Sequence, residues 1–345
     1  NDIITLDLRR KYSHISFNKQ NNIVKIGGGV LMKDLLNYLE KYGRLFPGGL
    51  SNLPGAGFIL TGGISPMSRR YGLAIDNIEF LKGYLGNGSY FSMRKDSLNQ
   101  KEIKIWEAIK GAAPFFSIIT EIGLKTFSSF PIILFEGFIN KKELIELIQI
   151  SQNFPENFSF QWMLSENIYA YILAEIKTRD DKKHFDKYLK IFQNFTSLKY
   201  KKYKTFNHIK FFPKSLNLFE LNPNNHSEVI SLLGENLDNN IEEYVEILEE
   251  INQMKPNKSC YLASQQLGGK TKAKNSNNGY FVHRMSTWKP WIHTSWPKNN
   301  PEEKRKAINW MNKSWDKLKR FHPHVHLAQL HNHLNTHEDE VKLAF

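Results

Sequence analysis

Six glycines, Gly48, Gly49, Gly55, Gly57, Gly62 and Gly63, fall within a span of sixteen residues. Glycine at that density serves backbone that must approach a ligand closely or take positive φ. Neither common nucleotide motif accounts for it. Gly27-x-Gly29 is followed three residues on by Met32, and Gly55-x-Gly57 by Leu60, so G-x-G-x-x-G is not completed, and no P-loop is present. A string of tight turns is the plain alternative. Late in the chain His322, His324 and His326 alternate, which on a strand would project them from one face. Imidazole is the commonest metal ligand. Yet no carboxylate or cysteine accompanies these three and Pro323 interrupts them, so no metal is expected. Trp288, Trp291 and Trp296 either line an aromatic site or fill core, and core is the expected role.

The lone cysteine, Cys260, excludes intramolecular disulfides and multi-cysteine metal centres. Redox chemistry would therefore come from a bound cofactor. Lys+Arg 47 against Asp+Glu 34 gives +13, enough to attract polyanions. The lysines are scattered, however, and the densest run, Lys199–Lys204, reads as a solvated strand rather than a nucleic-acid surface. No stretch approaches the roughly 18 apolar residues of a membrane helix. Neither nucleic acid nor membrane is an expected partner.

The elements that must position these residues divide into two patterns. First come a strand opening at Ile3–Leu8, a strand at Ile23–Ile26 and a helix from Met32 to Tyr42 with Leu35, Leu36 and Leu39 on one face. After the glycine stretch, strands are expected at 77–85 and 117–127, with a helix at 101–110 between them. Glycines thin out near Ser128-Ser129-Phe130-Pro131, where the domain boundary is placed. Beyond it the order is strand (132–138), helix (141–152), strands (158–163 and 169–176) and helix (182–195). Helices at 242–254 and 301–319 and extended segments at 259–267 and 280–296 complete it. That order predicts a mixed or antiparallel sheet covered by helices.

Several blocks carry a resemblance. Gly43-Arg44-Leu45-Phe46-Pro47-Gly48-Gly49, the run Pro54 to Gly63, and Ser68-Arg69-Arg70-Tyr71-Gly72-Leu73-Ala74-Ile75-Asp76-Asn77 stand in that order. Trp106 to Gly111 with Phe115 to Thr120, then Gln266-Leu267-Gly268-Gly269, then Phe281-Val282-His283-Arg284 ending at Trp296, follow. Together they resemble the FAD-linked oxidases of the berberine bridge enzyme-like family, with the vanillyl-alcohol-oxidase type of FAD-binding fold. The resemblance implies an α+β chain. A partial FAD-binding domain would cover residues 1–130, and a substrate domain with a mixed or antiparallel sheet covered by helices residues 131–345. It implies FAD as cofactor, with Gly48, Gly49, Gly55, Gly57, Thr61, Gly62, Gly63, Tyr71, Gly72, Ser117 and Ile119 along it. Relative to the family, the segment with the Arg-Ser-Gly-Gly-His loop and the closing return segment are absent, so truncation at both ends is the expectation. Any covalent link through the histidine of that loop would lie upstream of residue 1.

The resemblance implies oxidation of a C–OH or, less often, a C–N bond of a small organic molecule such as an alcohol, sugar or aromatic. The electron acceptor is not specified. Leu50-Ser51-Asn52 replaces the cysteine that makes a second flavin link in some members. Trp291 stands where many members place a Glu or Gln acid/base, and an indole cannot accept a proton. The family's Tyr-x-Asn-Tyr strand corresponds to Gln329-Leu330-His331-Asn332. His331 is then the candidate proton acceptor, because imidazole titrates near neutral pH, with Gln329 as hydrogen-bond partner. The alternatives are a catalytically inactive FAD-binding member and, more distantly, a nucleic-acid-binding protein. A cytoplasmic location is expected, with export left open.

Overall fold

The computed structural model describes residues 5–49, 53–96, 99–205, 224–272 and 281–326, with Glu338 and Lys342. The chain divides into two compact units at Ser129/Phe130, and the described residues Thr205, Phe281 and Val282 return to the first.

In the first unit the strands are β1 (Ile15–Asn18), β2 (Ile23–Gly27), the short β3 (Arg44–Leu45), β4 (Ile78–Leu85), β5 (Tyr90–Arg94), β6 (Ser117–Lys125) and β7 (Phe127–Ser128). Five of them form an antiparallel sheet in the order β1-β2-β6-β4-β5, while β3 pairs with β7. The helices are α1 (Met32–Glu40), α2 (Ala56–Leu60), α3 (Ser68–Tyr71) and α4 (Gln100–Phe116). α1 buries Met32, Leu35, Leu36 and Leu39, the stripe its sequence announces. α4 starts at a capping box: the Asn99 side chain accepts from the Glu102 N–H at 2.9 Å, and Glu102 accepts from the Asn99 N–H at 3.0 Å. It breaks at Lys110 and at Gly111, where φ is 126°. The described part of the expected opening strand is not a strand: residues 5–7 have no regular structure and Leu8–Arg10 form a 3-10 turn capped by Asp7, while residues 3 and 4 lie outside the described residues. An Asp side chain that accepts from the N–H two residues on favours a turn over a strand.

The second unit is one eight-stranded sheet, β8 (Ile132–Ile139), β9 (Phe158–Leu164), β10 (Ile168–Glu175), β11 (Lys199–Tyr203), β12 (Asn225–Leu233), β13 (Tyr261–Gln266), β14 (Trp288–Pro297) and β15 (His324–Val325). Its order is β11-β8-β10-β9-β13-β14-β12-β15, antiparallel throughout. Four helices, α5 (Lys141–Ser151), α6 (Arg179–Phe192), α7 (Ile241–Gln253) and α8 (Pro301–Leu318), pack with it. Strand alternation sorts the faces. Phe158, Phe160, Trp162 and Leu164 of β9 join Leu262, Trp288 and Ile292 in one core with Leu144, Phe192, Leu248 and Trp315 of the helices. The residues between them, among them Ser159, Gln161, Met163, Ala263 and Trp291, belong to the opposite face.

Gln266, the strand-end glutamine of the sequence block, lies on the helix side. Its amide donates to the Ser151 carbonyl at 2.6 Å and accepts from the Phe160 N–H at 3.0 Å, tying α5 to the sheet. Gln266→Leu is expected to lower stability by about 1–3 kcal/mol, because it strands a buried donor and acceptor. Urea unfolding followed by tryptophan fluorescence measures this, and an unchanged midpoint would count against it.

Candidate functional site

The glycine stretch forms α2 and the turn after it. A Cβ added at Gly57 meets no atom within 4 Å, so this helix presents bare backbone to open space. Gly55 is similar, its nearest neighbour being the Val30 carbonyl oxygen at 3.5 Å. Gly63 is glycine for another reason. Its φ is +71° and an added Cβ would lie 2.4 Å from that of Ala74. The carbonyls of Gly62 and Gly63 accept from the Ile75 and Ala74 N–H groups at 3.0 and 2.9 Å, which brings the Tyr71–Asn77 block against the glycine turn. Gly48 backs onto Met32 and Gly49 onto the Phe58 ring.

The other expected cofactor residues are placed as follows. The Thr61 hydroxyl donates to the Gly57 carbonyl at 2.8 Å. Tyr71 is buried with its ring 4.4 Å from that of Phe127, and Gly72 ends α3 at φ 77°. The Ser117 hydroxyl donates back to Ala113 at 3.0 Å, and Ile119 is buried on β6 opposite Gly83. α4, which hands the chain to Ser117, packs against α2. Gly55 and Gly57 thus leave a strip a Cβ would fill, and the residues present fit a flat group laid against backbone. Leu50, Ser51, Asn52, Gln329 and His331 lie outside the described residues.

In the second unit the side of the sheet away from the core is polar and aromatic. Register aligns one row across five strands: Lys289, Gln265, Gln161, Tyr171 and Glu136 face each other in turn. Glu136 is engaged at the row's end, accepting from the Tyr169 hydroxyl and from the Lys201 ammonium. Burial, followed by that contact with Glu136, pushes the Tyr169 hydroxyl far up; burial alone does the same to Tyr171. Lys289 is 8% exposed and burial drives its ammonium down to about 8. Its Nζ lies 5.4 Å from the Trp291 ring centre. Tyr261 stacks on His293 at 4.4 Å. Burial pushes the Tyr261 hydroxyl up to about 12, with the Trp291 indole acting in the opposite sense. Burial also lowers His293, against a hydrogen bond from its ring to the Ser259 carbonyl at 3.0 Å.

Trp288 and Trp296 are buried, and Trp288 belongs to the core as expected; Trp291 is half-buried on the polar face. The three alternating histidines do not share a strand. Only His324 lies in β15, where its ring stacks on His283 at 4.0 Å, while His322 is fully buried ahead of it. Among the described residues no group of three His, Cys, Asp or Glu is placed to hold a metal ion, and no helix is long and apolar enough to cross a membrane.

Residues 1–94 match the family described as FAD binding domain. (R)-6-hydroxynicotine oxidase of Paenarthrobacter nicotinovorans is 31% identical over 137 residues, 39% of this chain and 29% of that protein. An FAD-dependent monooxygenase of Arthrobotrys oligospora is 30% identical over 118 residues, 34% of this chain and 22% of its own length. The matched stretch thus spans less than a third of either relative. Among solved structures, a variant of berberine bridge enzyme superposes with TM-score 0.75 at 16% identity, covering 96% of this chain and 72% of that one. BBE-like 1 of Physcomitrella patens gives TM-score 0.74 at 17% identity, covering 94% and 73%.

The first 94 residues thus match an FAD-binding domain, and FAD is the cofactor. Within that class, the chain has the fold of the berberine bridge enzyme-like FAD oxidases.

Proposed function

We propose that the chain is part of an FAD-dependent oxidoreductase acting on a C–OH or, less often, a C–N bond of a small organic molecule. The observation that carries this reading is the polar, aromatic sheet face in the second unit, which accompanies an FAD-binding first unit. Buried amides, hydroxyls and a cation on an otherwise apolar sheet suit the orienting of a small polar substrate out of water. Bound FAD supplies the hydride acceptor. The substrate hydroxyl proton must go to a group of the protein, and His331 is the proposed acceptor, with Gln329 as its hydrogen-bond partner. Trp291 on the polar face favours a second reading, an FAD-binding relative without turnover, since an indole takes no proton.

The test is the visible spectrum of the full-length protein, recorded anaerobically before and after adding candidate alcohols, sugars and amines. A yellow protein that bleaches supports the oxidoreductase; one that stays yellow supports the inert relative; a colourless one overturns both. In the bleaching case His331→Ala is expected to slow flavin reduction about tenfold or more at unchanged flavin content, the lower part of what a positioned base contributes. An unchanged stopped-flow rate would remove His331 from that role.

A further inference from the structure

Among the described residues, two of three neighbouring side chains in the polar row, those of Gln161 and Lys289, make no hydrogen bond or ion pair. Lys289, Gln265 and Gln161 stand opposite one another on β14, β13 and β9. They are 8%, 7% and 2% exposed. Both polar atoms of the Gln161 amide are buried without a hydrogen bond. The Lys289 ammonium has no hydrogen bond or ion pair among the described residues, and lies 5.4 Å from the Trp291 ring centre. A buried cation without a counter-charge is costly, and a ligand of opposite sign removes that cost. The carboxylate in the same row cannot serve it, because Glu136 is already held by Tyr169 and Lys201.

We propose that Lys289, Gln265 and Gln161 recognise a carboxylate carried by the substrate. This rests on the oxidoreductase reading above and names its substrate class. Opposed residues on antiparallel strands have Cβ atoms about 4.5–5.5 Å apart, so the row covers about 10 Å, the reach of a small organic acid. One lysine balances one negative charge, which a carboxylate carries, whereas a phosphate brings closer to two. The glutamine amides supply the neutral donors that the remaining carboxylate lone pairs need.

Calorimetric titration of the full-length flavin-loaded protein with acetate, benzoate and cinnamate, each against its amide, tests the proposal. At least one acid is expected to bind about tenfold or more tighter than its amide, as a hydrogen bond to a charged group implies. Lys289→Met is expected to erase that preference and Lys289→Arg to keep most of it, both with wild-type flavin content. Gln161→Met is expected to weaken the acid several-fold, and it carries the test if Lys289→Met does not fold. No acid preferred over its amide, or a preference that survives Lys289→Met, overturns the proposal. The two readings fail separately: a protein that never bleaches yet binds acids through Lys289 loses the oxidoreductase and keeps the subsite.

Discussion

Gly57→Leu in the full-length protein is expected to purify colourless yet fully folded. Gly57 lies inside α2, where an added Cβ meets nothing within 4 Å. Leucine is a better helix former than glycine by roughly 0.5–1 kcal/mol, so the substitution gives the fold no reason to fail. What it fills is the bare strip proposed to lie against the cofactor. Gly63→Val is the contrasting case. There φ is +71° and the new Cβ would sit 2.4 Å from that of Ala74. Left-handed backbone and overpacking together cost about 2–5 kcal/mol, so this variant is expected to lose flavin because the first unit loses stability. The flavin-to-protein absorbance ratio and the thermal midpoint separate the two. Normal flavin content in Gly57→Leu would sink the placement of the cofactor along α2.

The second large effect concerns acid stability. His322 is fully buried, its ring edge-on to Tyr244 at 5.2 Å, and among the described residues neither ring nitrogen has a hydrogen-bond partner. Burial lowers it from the ordinary 6.5 to about 3. The folded state therefore holds it neutral while the unfolded chain takes up a proton below 6.5. Above that pH both states are neutral and its contribution does not change with pH, and stability falls as pH drops from 6.5 towards 3. The whole effect is on the order of 5 kcal/mol. His322→Phe keeps a ring against Tyr244 and cannot protonate, so its urea midpoint is expected to fall much less steeply across that window. Parallel acid limbs in the two proteins would show that the ring does not titrate in the way its burial implies.

The sequence shows the apolar strands and capped helices plainly, because alternation and Asn or Thr caps are local signals. Phe158, Phe160, Trp162 and Leu164 mark β9 directly, and Asn140 with Glu143 marks the start of α5. β1, β5 and β12 are not anticipated by the strand reading: each is short of buried apolar residues over part or all of its length, and what makes it a strand is its neighbour in the sheet. The glycine block is legible as a unit, but not which glycine serves the ligand and which the fold; only the positions of Ala74 and Phe58 separate them. Gln161, Gln265 and Lys289 are missed altogether. They are more than a hundred residues apart at the extremes, and only register sets them in one row. The available signal is a charged or amide side chain inside an otherwise apolar strand.

β11 ends the eight-stranded sheet, and four of its five residues, Lys199, Tyr200, Lys201 and Lys202, are exposed. A bare edge strand is a template on which a second copy can add and propagate into aggregates. Lys199 and Lys202, with Lys201 already paired to Glu136, leave positive charge along this one that makes a like strand approaching it repel. The run of positive charge that resembles a polyanion surface in the sequence thus disfavours self-association at this end of the sheet.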